Sequence, residues 1–431
     1  MTKRSIFILL FFIFTVNNIV YGQVKFSDFF EDKVLRIDYI LAGDSKHSEI
    51  YLQELKQENQ YAGSKMNFVD LSDYGTYRYR LLDSESNQLI FSKGFCPLFE
   101  EWQATDEATI MKKGFYQVAI LPFPKNKVRF VIDSRDKNNN FFTIFLTDIE
   151  PENYFIRAEA PPAFEVETIV KNGHPSEKVD LVFLSEGYRK EEMPVFIADV
   201  KRMVDSLFSA EPFNQYKDAF NIYAVKVPSQ DSGTDIPGEK LYVNTAFNSS
   251  FYTFDVSRYL TSSDMKAIHD AASVVSYDHI CVLVNSSRYG GGGFYNYLCL
   301  CTSNGFSSTD VFIHEFGHSF AGLADEYYTS DVAYDSYYNL KVEPWEPNIT
   351  TLVDFDKKWK HMISADTPVP TPRSSKYANT VGVFEGGGYV AKGIYSPVDD
   401  CRMKRVEASF CPACSEAIVK KILESSRTQR H

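Results

Sequence analysis

Short runs of alternating hydrophobic and polar residues dominate the chain between Lys25 and about Glu150. A period of two places the hydrophobic side chains on one face of an extended strand, and the Asp, Asn, Ser and Gly clusters between the runs favour turns. The clearest runs are 34–41, 76–82, 89–95, 115–123, 128–132 and 141–147. Their lengths and spacing predict a β-sandwich. We see no catalytic pattern here and expect this part mainly to pack against the rest of the chain, with presentation of a substrate or a glycan as alternatives.

The pattern changes after a segment rich in proline and glycine between 150 and 176, a composition that suits a connection between domains. We place the border near Val170. Beyond it, apolar runs typical of buried strands alternate with runs that have hydrophobic residues at helical spacing. The predicted strands are 179–184, 220–227 and 280–284, and the predicted helices are 193–208 and 263–275. The fold class is therefore α+β, with an amino-terminal β-sandwich (23–165) followed by an α/β domain with a mixed sheet (170–431).

A run of four glycines, Gly290–Gly293, is followed by the apolar segment 295–301. We interpret it as a flexible loop that leads into a strand. The Lys-Ser/Thr context of a phosphate-binding loop is missing. Two roles remain open: a surface loop without a partner, or a sheet edge that holds an extended peptide by main-chain hydrogen bonds.

The amino terminus has the composition of a targeting segment. A short basic region, Thr2–Arg4, precedes the apolar run 5–16 and a small-residue cleavage signal at Val20–Gly22. This order is typical of a bacterial-type secretory signal peptide, and the apolar run is shorter than the ~20 residues that span a bilayer. We therefore expect residues 1–22 to be removed and the mature chain, which has no membrane span, to be exported to the periplasm or out of the cell.

Charge and cysteine content narrow the possible partners. The formal net charge of −12 and the lack of a long basic run argue against a nucleic-acid partner. An oxidising compartment would favour disulfides among the seven cysteines, of which at least one must stay unpaired. The Cys411-Pro-Ala-Cys414 pair is typical of a redox or zinc-knuckle motif, but we favour a bridge from Cys401 to Cys411 or Cys414.

The segment 314–318, His-Glu-Phe-Gly-His, is the strongest indication of chemistry in the chain. Residues at i and i+4 lie above one another on a helix, so His314 and His318 can converge on one zinc ion. Glu315 then faces the water that the metal would hold and can act as general acid and base. Hydrophobic residues at 311–313 and Phe316 supply a face that would bury such a helix. The pattern predicts metal-assisted hydrolysis.

The residues after the motif offer a third metal ligand. Gly322 can end the helix in a left-handed turn, and the carboxylates of Asp325 and Glu326 follow it closely. One of these two carboxylates should complete the site. His269, His279 and His361 lie outside any ligand spacing, so we expect them at the surface or in the core.

The stretch HEFGHSFAGLADEYY, followed about 75 positions later by Asp399-Asp400-Cys401-Arg402-Met403, resembles the secreted bacterial metallopeptidases named for IgA peptidase. The similarity also covers the segments YGGGGFYN and FCPACSEAI, and because the family places a β-sandwich-like domain before its catalytic domain, the resemblance spans nearly the whole mature chain. The resemblance implies a zincin-type catalytic domain after a β-sandwich-like domain, which agrees with the border drawn above.

The same resemblance relates the site to the metzincins, whose pattern is H-E-x-x-H-x-x-G-x-x-H/D with a methionine turn beneath the metal. This chain has one extra residue before Gly322, but the step from the glycine to Asp325 is kept. The resemblance thus implies Asp325 as third ligand, with Glu326 in reserve, and Met403 as the methionine of the turn. A purely packing role for Met403 is the alternative.

These features together predict a secreted zinc endopeptidase with His314, His318 and Asp325 as metal ligands, Glu315 as the catalytic residue and a protein or peptide as substrate. We consider two alternatives. One is a secreted binding module whose zinc is structural or does not support turnover, and the other is a zinc amidase that acts on a glycan or cell-wall substrate. An intact Glu315 argues against a purely structural site, which needs no base. Immunoglobulin A is not transferred as the substrate, because cleft loops determine specificity.

Overall fold

The computed structural model describes residues 24–328 and 338–427. The predicted signal peptide, 1–22, lies outside the described residues. Within the described ranges, no helix has both the length and the hydrophobicity needed to cross a bilayer.

The amino-terminal part consists of two four-stranded sheets with strand orders β5-β1-β2-β8 and β4-β3-β6-β7. Three short helices accompany them: α1 (Phe26–Phe29), α2 (Leu98–Gln103) and α3 (Glu107–Ile110). The strands are β1 (Phe30–Gly43), β2 (Ser48–Glu58), β3 (Tyr77–Asp83), β4 (Leu89–Phe95), β5 (Lys113–Pro124), β6 (Val128–Arg135), β7 (Phe141–Ile149) and β8 (Ile156–Ala158).

Alternation along the strands explains why the two sheets pack together. In β3 the side chains of Tyr77, Tyr79 and Leu81 are buried, whereas the intervening Arg78 and Arg80 are partly exposed. The buried face joins one hydrophobic core with residues from both sheets. The predicted β-rich amino-terminal domain is confirmed.

The second part is built on a six-stranded sheet with the order β13-β14-β12-β10-β11-β9. Its four central strands are mutually parallel, and both edge strands are antiparallel to their neighbours, so the sheet is mixed as predicted. Its strands are β9 (Glu165–Val170), β10 (Val179–Glu186), β11 (Phe220–Lys226), β12 (His279–Val284), β13 (Gly291–Phe294) and β14 (Leu298–Thr302). The longer helices are α4 (Met193–Leu207), α5 (Met265–Ala272), α6 (Ser308–Ala321) and α7 (Pro412–Ser425), and a small hairpin contains β15 (Phe384–Gly387) and β16 (Val390–Ser396).

Helices cover both faces of this sheet, which explains the unbroken hydrophobic run in its central strand. All eight residues of β10 are buried. Phe183 belongs to the core that includes α4, α6 and α7, and the adjacent Leu184 belongs to the core that includes α5. A strand buried on both faces has no polar face and therefore no period of two. The predicted α/β domain with a mixed sheet is confirmed.

Three segments differ from the sequence interpretation, and the first is β2 (Ser48–Glu58), which none of the predicted runs covers. The glycine run at 290–293 is not a flexible loop, because Gly291–Phe294 forms the edge strand β13. The strand β9 begins at Glu165 and pairs with β11, so the six-stranded sheet starts before Val170. The domain limits themselves remain a prediction.

The two parts contact each other next to β13. The backbone N–H of Cys96 donates to the carbonyl of Tyr295 at 2.9 Å, and the Asn296 side chain donates to the carbonyl of Gly94 at 2.9 Å. The helix α2 follows Cys96 directly. This contact therefore brings α2 to the side of the sheet where β13 lies.

Candidate metal centre

The helix α6 presents the predicted His-Glu-x-x-His motif. It buries Phe312, Ile313 and Phe316 against the sheet and α4, and Val311 is buried beside Gly291. Its end is a left-handed turn at Gly322, which has a φ of 66°, and the Gly322 N–H donates to the carbonyl of His318. A residue with a Cβ is strained in this conformation. The predicted helix and its glycine terminus are both present.

His314, His318 and Asp325 converge on one point. The Nε2 atoms of the two histidines are 3.1 Å apart. Oδ1 of Asp325 lies 3.2 Å from Nε2 of His314 and 3.3 Å from Nε2 of His318. His314 and Asp325 are buried, and His318 is partly exposed. The structure therefore brings together the three residues that we predicted as metal ligands.

Hydrogen bonds at the far side of each imidazole determine which nitrogen faces the centre. Nδ1 of His314 lies 2.9 Å from the carbonyl of Arg402, and Nδ1 of His318 lies 2.6 Å from the carbonyl of Leu323. A carbonyl can only accept, so Nδ1 of each ring donates its proton outward and Nε2 of each ring is the atom that faces the centre. Metal-ligating histidines are oriented in this way.

The donor set fits a cation. Two nitrogen lone pairs and a carboxylate oxygen face one another, and Oδ1 of Asp325 is buried without a hydrogen-bond donor. Such an arrangement is unfavourable unless a positive charge lies between the atoms. Imidazole and carboxylate groups are ordinary ligands of transition metals, and three protein ligands leave a position open for chemistry.

Glu326, the reserve candidate, faces away from the histidines. Its Oε1 accepts a hydrogen bond from Nδ2 of Asn348 at 2.9 Å and lies 3.2 Å from Sγ of Cys414. Neighbouring side chains on an extended segment point to opposite sides. Because Asp325 takes the histidine side, Glu326 is directed into the protein.

Glu315 lies beside the three ligands, partly exposed to the cleft. Burial raises the pKa of its carboxyl above the usual value and Asp325 adds to this effect, whereas His314, His318 and Arg258 oppose it. The backbone of Glu315 packs tightly on β13, since a Cβ at Gly293 would lie 2.2 Å from the Glu315 carbonyl oxygen. The glycines thus allow the edge strand to approach the motif helix closely.

Part of the outer edge of β13 is already occupied. The N–H of Leu260 donates to the carbonyl of Gly291 at 3.4 Å, and Tyr259 forms a bridge with Gly291. An extended peptide cannot pair with the strand at that residue. The glycine run still lines the cleft, which it borders at 290–293.

Met403 lies beneath the motif helix. It is fully buried, and its Sδ would lie 3.1 Å from a Cβ placed on Gly317, the residue before His318. The preceding residue, Arg402, supplies the carbonyl that orients His314. The turn at 402–403 therefore supports the histidine pair, as the resemblance to metzincins implied.

Several residues at the site were not identified from the sequence. Tyr389 donates a hydrogen bond from its hydroxyl to Oδ2 of Asp325 at 2.5 Å. Arg258 lies against Tyr327 on the cleft wall and interacts electrostatically with Asp325. Burial raises the pKa of Glu101 in α2 to about 7, and Glu315 and Asp325 contribute to this rise. These residues are distant in sequence from the motif, so no local pattern could have indicated them.

The cleft over the centre has a volume of about 1260 Å³ and is lined by both parts of the chain. α2 contributes Glu100 and Glu101, and the wall is rich in aromatic residues: Tyr289, Phe294, Tyr295, Tyr327, Tyr328, Tyr338, Trp345 and Tyr389. The β-rich domain therefore forms part of the cleft in addition to packing against the catalytic domain.

The remaining predicted histidines take no part. His269 and His279 are buried, and His361 is exposed next to Glu416. All seven cysteines lie in the described ranges and are free thiols. The bridge that we favoured from Cys401 to Cys411 or Cys414 is not formed, and the Sγ atoms of Cys401 and Cys414 are 3.7 Å apart.

Comparison with known proteins gives two family matches. Residues 167–380 and 373–422 match the family model described as IgA peptidase M64. Residues 25–146 match the model described as the peptidase M64 N-terminus. A search of curated proteins gives no match.

Proposed function

The chain belongs to the IgA peptidase M64 family of peptidases, and from this premise we propose that it is a zinc-dependent endopeptidase acting on extracellular proteins. The observation that carries the proposal is the convergence of His314, His318 and Asp325 beside Glu315, in a cleft open to substrate. We also propose that residues 1–22 direct its export, in accordance with the composition of that segment.

The spacing of the three ligand atoms supports zinc. Two nitrogen ligands at about 2.0–2.1 Å from a tetrahedral zinc ion lie roughly 3.3 Å apart, and the observed separations are 3.1, 3.2 and 3.3 Å. Zinc bound there supplies Lewis acidity, which makes water nucleophilic near neutral pH and polarises a peptide carbonyl.

Glu315 performs the proton transfers. Its carboxylate accepts the proton of the attacking water and then donates that proton to the leaving amine. A pKa raised by burial suits both steps, since the group must accept the proton and hold it until the leaving amine takes it. Arg258 and Tyr327 lie on the same wall of the cleft and can donate hydrogen bonds to the substrate carbonyl oxygen.

The shape of the cleft supports cleavage within a protein chain. The walls come from α2, the glycine strand and the segment 399–407, so a polypeptide can lie across the centre with residues on both sides of the bond. Aromatic rings on these walls supply apolar contacts and hydroxyl groups. The side chains that line the cleft determine which protein is cut, so membership of the family does not by itself identify the substrate.

The substitution Glu315→Gln tests the mechanism. It keeps the shape and the ligands but removes the base, so we expect full zinc content by mass spectrometry and a loss of activity of about 10²–10⁴-fold towards a fluorogenic peptide library. The matched control is Glu191→Gln, an exposed carboxylate outside the cleft, which should retain wild-type activity. Wild-type cleavage by the Glu315→Gln protein would refute the assignment.

A further inference from the structure

We propose that Glu326, Cys401, Cys411 and Cys414 form a second metal site, in which three thiolates and one carboxylate hold a structural zinc ion. One candidate ligand atom from each residue lies within 4.8 Å of all the others, and all four residues are buried. This site is separate from the histidine centre, although Glu326 is the next residue after Asp325. The proposal does not depend on peptidase activity.

The sulfur separation supports a metal. Two thiolates about 2.3 Å from a tetrahedral zinc ion lie roughly 3.8 Å apart. The Sγ atoms of Cys401 and Cys414 are 3.7 Å apart, which is much longer than the ~2.05 Å of a disulfide bond. The carboxylate is also close to the sulfurs, since Oε1 of Glu326 lies 3.2 Å from Sγ of Cys414.

The carboxylate lacks a full set of partners. Glu326 has no exposed surface, Asn348 donates one hydrogen bond to Oε1, and Oε2 is buried with no hydrogen-bond partner. A buried carboxylate in this state is costly. A cation among the three sulfurs would compensate for it, and Lys404 supplies a further positive charge that interacts with Glu326 and Cys401.

Backbone N–H groups are directed at two of the sulfurs. The N–H of Cys414 points to Sγ of Cys411, and the N–H of Cys411 points to Sγ of Cys401, both at 3.4 Å. Donors of this kind stabilise the negative charge of a thiolate. Cys411 caps the amino terminus of α7, so the Cys-Pro-Ala-Cys turn holds its two thiols towards one point.

A disulfide bond would account for only part of this cluster of three thiols and one carboxylate. It would use two of the three thiols and leave the third beside a buried carboxylate that has an unpaired oxygen. A metal uses all four groups at once, and thiolate ligands select zinc over magnesium or calcium. Metal binding would release the thiol protons, so the affinity should fall as the pH is lowered.

The position of this thiolate site indicates what it does. The N–H of Glu326 donates to the carbonyl of Met403 at 2.7 Å, and Arg402 supplies the carbonyl that orients His314. A metal bound to Glu326 and Cys401 would clamp the ligand segment at 325–326 to the turn at 401–403. These four residues are therefore positioning residues for the histidine centre.

Cobalt substitution distinguishes the two centres. The histidine centre offers nitrogen and oxygen ligands, so thiolate-to-cobalt charge-transfer absorption can come only from a site with cysteine ligands. We expect the full chain, purified anaerobically, to contain two zinc ions and to show this absorption after exchange with Co²⁺. The double variant His314→Ala/His318→Ala should keep one metal and the full charge-transfer band.

Further substitution removes the remaining metal. Adding Cys411→Ser to that double variant should abolish the band and the last zinc ion, whereas adding Cys281→Ser, which changes an equally buried cysteine, should preserve both. In the otherwise wild-type chain, Cys411→Ser should weaken zinc binding at the histidine centre by roughly 10–100-fold.

If a cysteine variant does not fold, measurements on the wild-type protein still test the proposal. A single zinc ion per chain, no cobalt–thiolate band, and a disulfide between two of the three cysteines on peptide mapping would together overturn the proposal. Retention of the band in the absence of peptidase activity would support the thiolate site and count only against the proposed function.

Discussion

Tyr389 and Asp325 form a hydrogen bond that fixes the predicted carboxylate ligand. The Tyr389 hydroxyl donates to Oδ2, with 2.5 Å between the oxygens, while Oδ1 faces the two histidines. The two rings that flank this contact, Tyr327 and Tyr389, pack edge to face at 5.3 Å. The carboxylate can therefore offer one defined oxygen to a metal.

Replacement of Tyr389 by phenylalanine should weaken metal binding without removing a ligand. The substitution Tyr389→Phe deletes the donor to Oδ2 but keeps the ring that packs against Tyr327. Outer-shell hydrogen bonds of this kind contribute roughly 10–100-fold to metal affinity. Competition with a zinc chelator should show a loss of that size, with activity restored by excess zinc.

The control for this prediction is Tyr154→Phe, which removes the hydroxyl of a tyrosine that is 86% exposed. It should bind zinc like the wild type. Equal zinc affinity in Tyr389→Phe and the control would show that Asp325 does not need this hydrogen bond to serve as a ligand.

Local patterns predicted the candidate metal centre because its three candidate ligands lie within twelve residues of one another. His314 and His318 share a helix face, and Gly322 ends that helix, so Asp325 follows at short range. Tyr389 is 64 residues from Asp325, and Glu101 belongs to the other domain. The folding of the second domain brings Tyr389 to the cleft and the packing of the two domains brings Glu101 there, and no sequence period encodes either contact.

The strand β2 was not predicted from the sequence, and its pairing and exposure explain why. The register against β1 shifts between Asp38 and Tyr39, so an extra residue interrupts the alternation in β2. Its side chains are mostly half-buried or exposed, and several are charged. For β13 the sequence favoured a flexible loop and left a sheet edge open, because glycine carries no hydrophobic signal, although the neighbours of these glycines leave room for nothing larger.

A side chain at Gly293 should displace the catalytic helix. The Cβ in Gly293→Ala would lie 2.2 Å from the carbonyl oxygen of Glu315, and that carbonyl belongs to a helix that cannot yield locally. Overpacking of this kind costs about 1–3 kcal/mol. We expect a lower thermal midpoint together with reduced peptidase activity.

The matched substitution is Gly387→Ala, because the nearest atom to the added Cβ is 3.5 Å away, which is an ordinary contact. Its thermal midpoint should remain close to that of the wild type. Tolerance of alanine at both positions would mean that β13 can move away from α6 without consequence.

Arg36 should be the most sensitive charged residue of the β-sandwich. It has no exposed surface and pairs with Asp38 through two hydrogen bonds, at 2.6 and 2.7 Å, and with Asp270 of α5 at 2.7 Å. Removing one partner of a buried ion pair costs about 3–5 kcal/mol, since the other charge stays buried. We expect this loss for Arg36→Met in urea unfolding followed by tryptophan fluorescence, which reports on the buried Trp102.

The comparison for Arg36 is Arg129→Met, which breaks a surface pair with Asp148 at 3.1 Å. Surface pairs contribute about 0–1 kcal/mol, so this variant should unfold close to the wild-type urea midpoint. Similar midpoints for the two variants would show that Arg36 is not required for the stability of the sandwich.

Asp180 should make the stability of the catalytic domain depend on pH. Burial raises the pKa of this carboxyl to about 8, and the charge of Asp278 adds to the rise, while a hydrogen bond from Asn221 at 2.9 Å opposes it. The folded protein thus binds this proton more tightly than the unfolded chain, in which the reference pKa is about 3.9. The resulting stabilisation is complete below that value and is lost as the pH rises towards 8.

The variant Asp180→Asn cannot ionise and so should not share this loss. The quantity to follow is the free energy of unfolding of Asp180→Asn minus that of the wild type. This difference should increase steadily between about pH 4 and pH 8. The amide can also change the stability by a constant amount, but a constant does not affect this trend. The exposed residue Asp356 provides the comparison through Asp356→Asn, for which the corresponding difference should stay nearly flat. Urea titrations at several pH values measure both differences. A constant difference for Asp180→Asn across this range would mean that Asp180 is ionised in the folded protein throughout, and that Asn221 and the surrounding charges compensate fully for its burial.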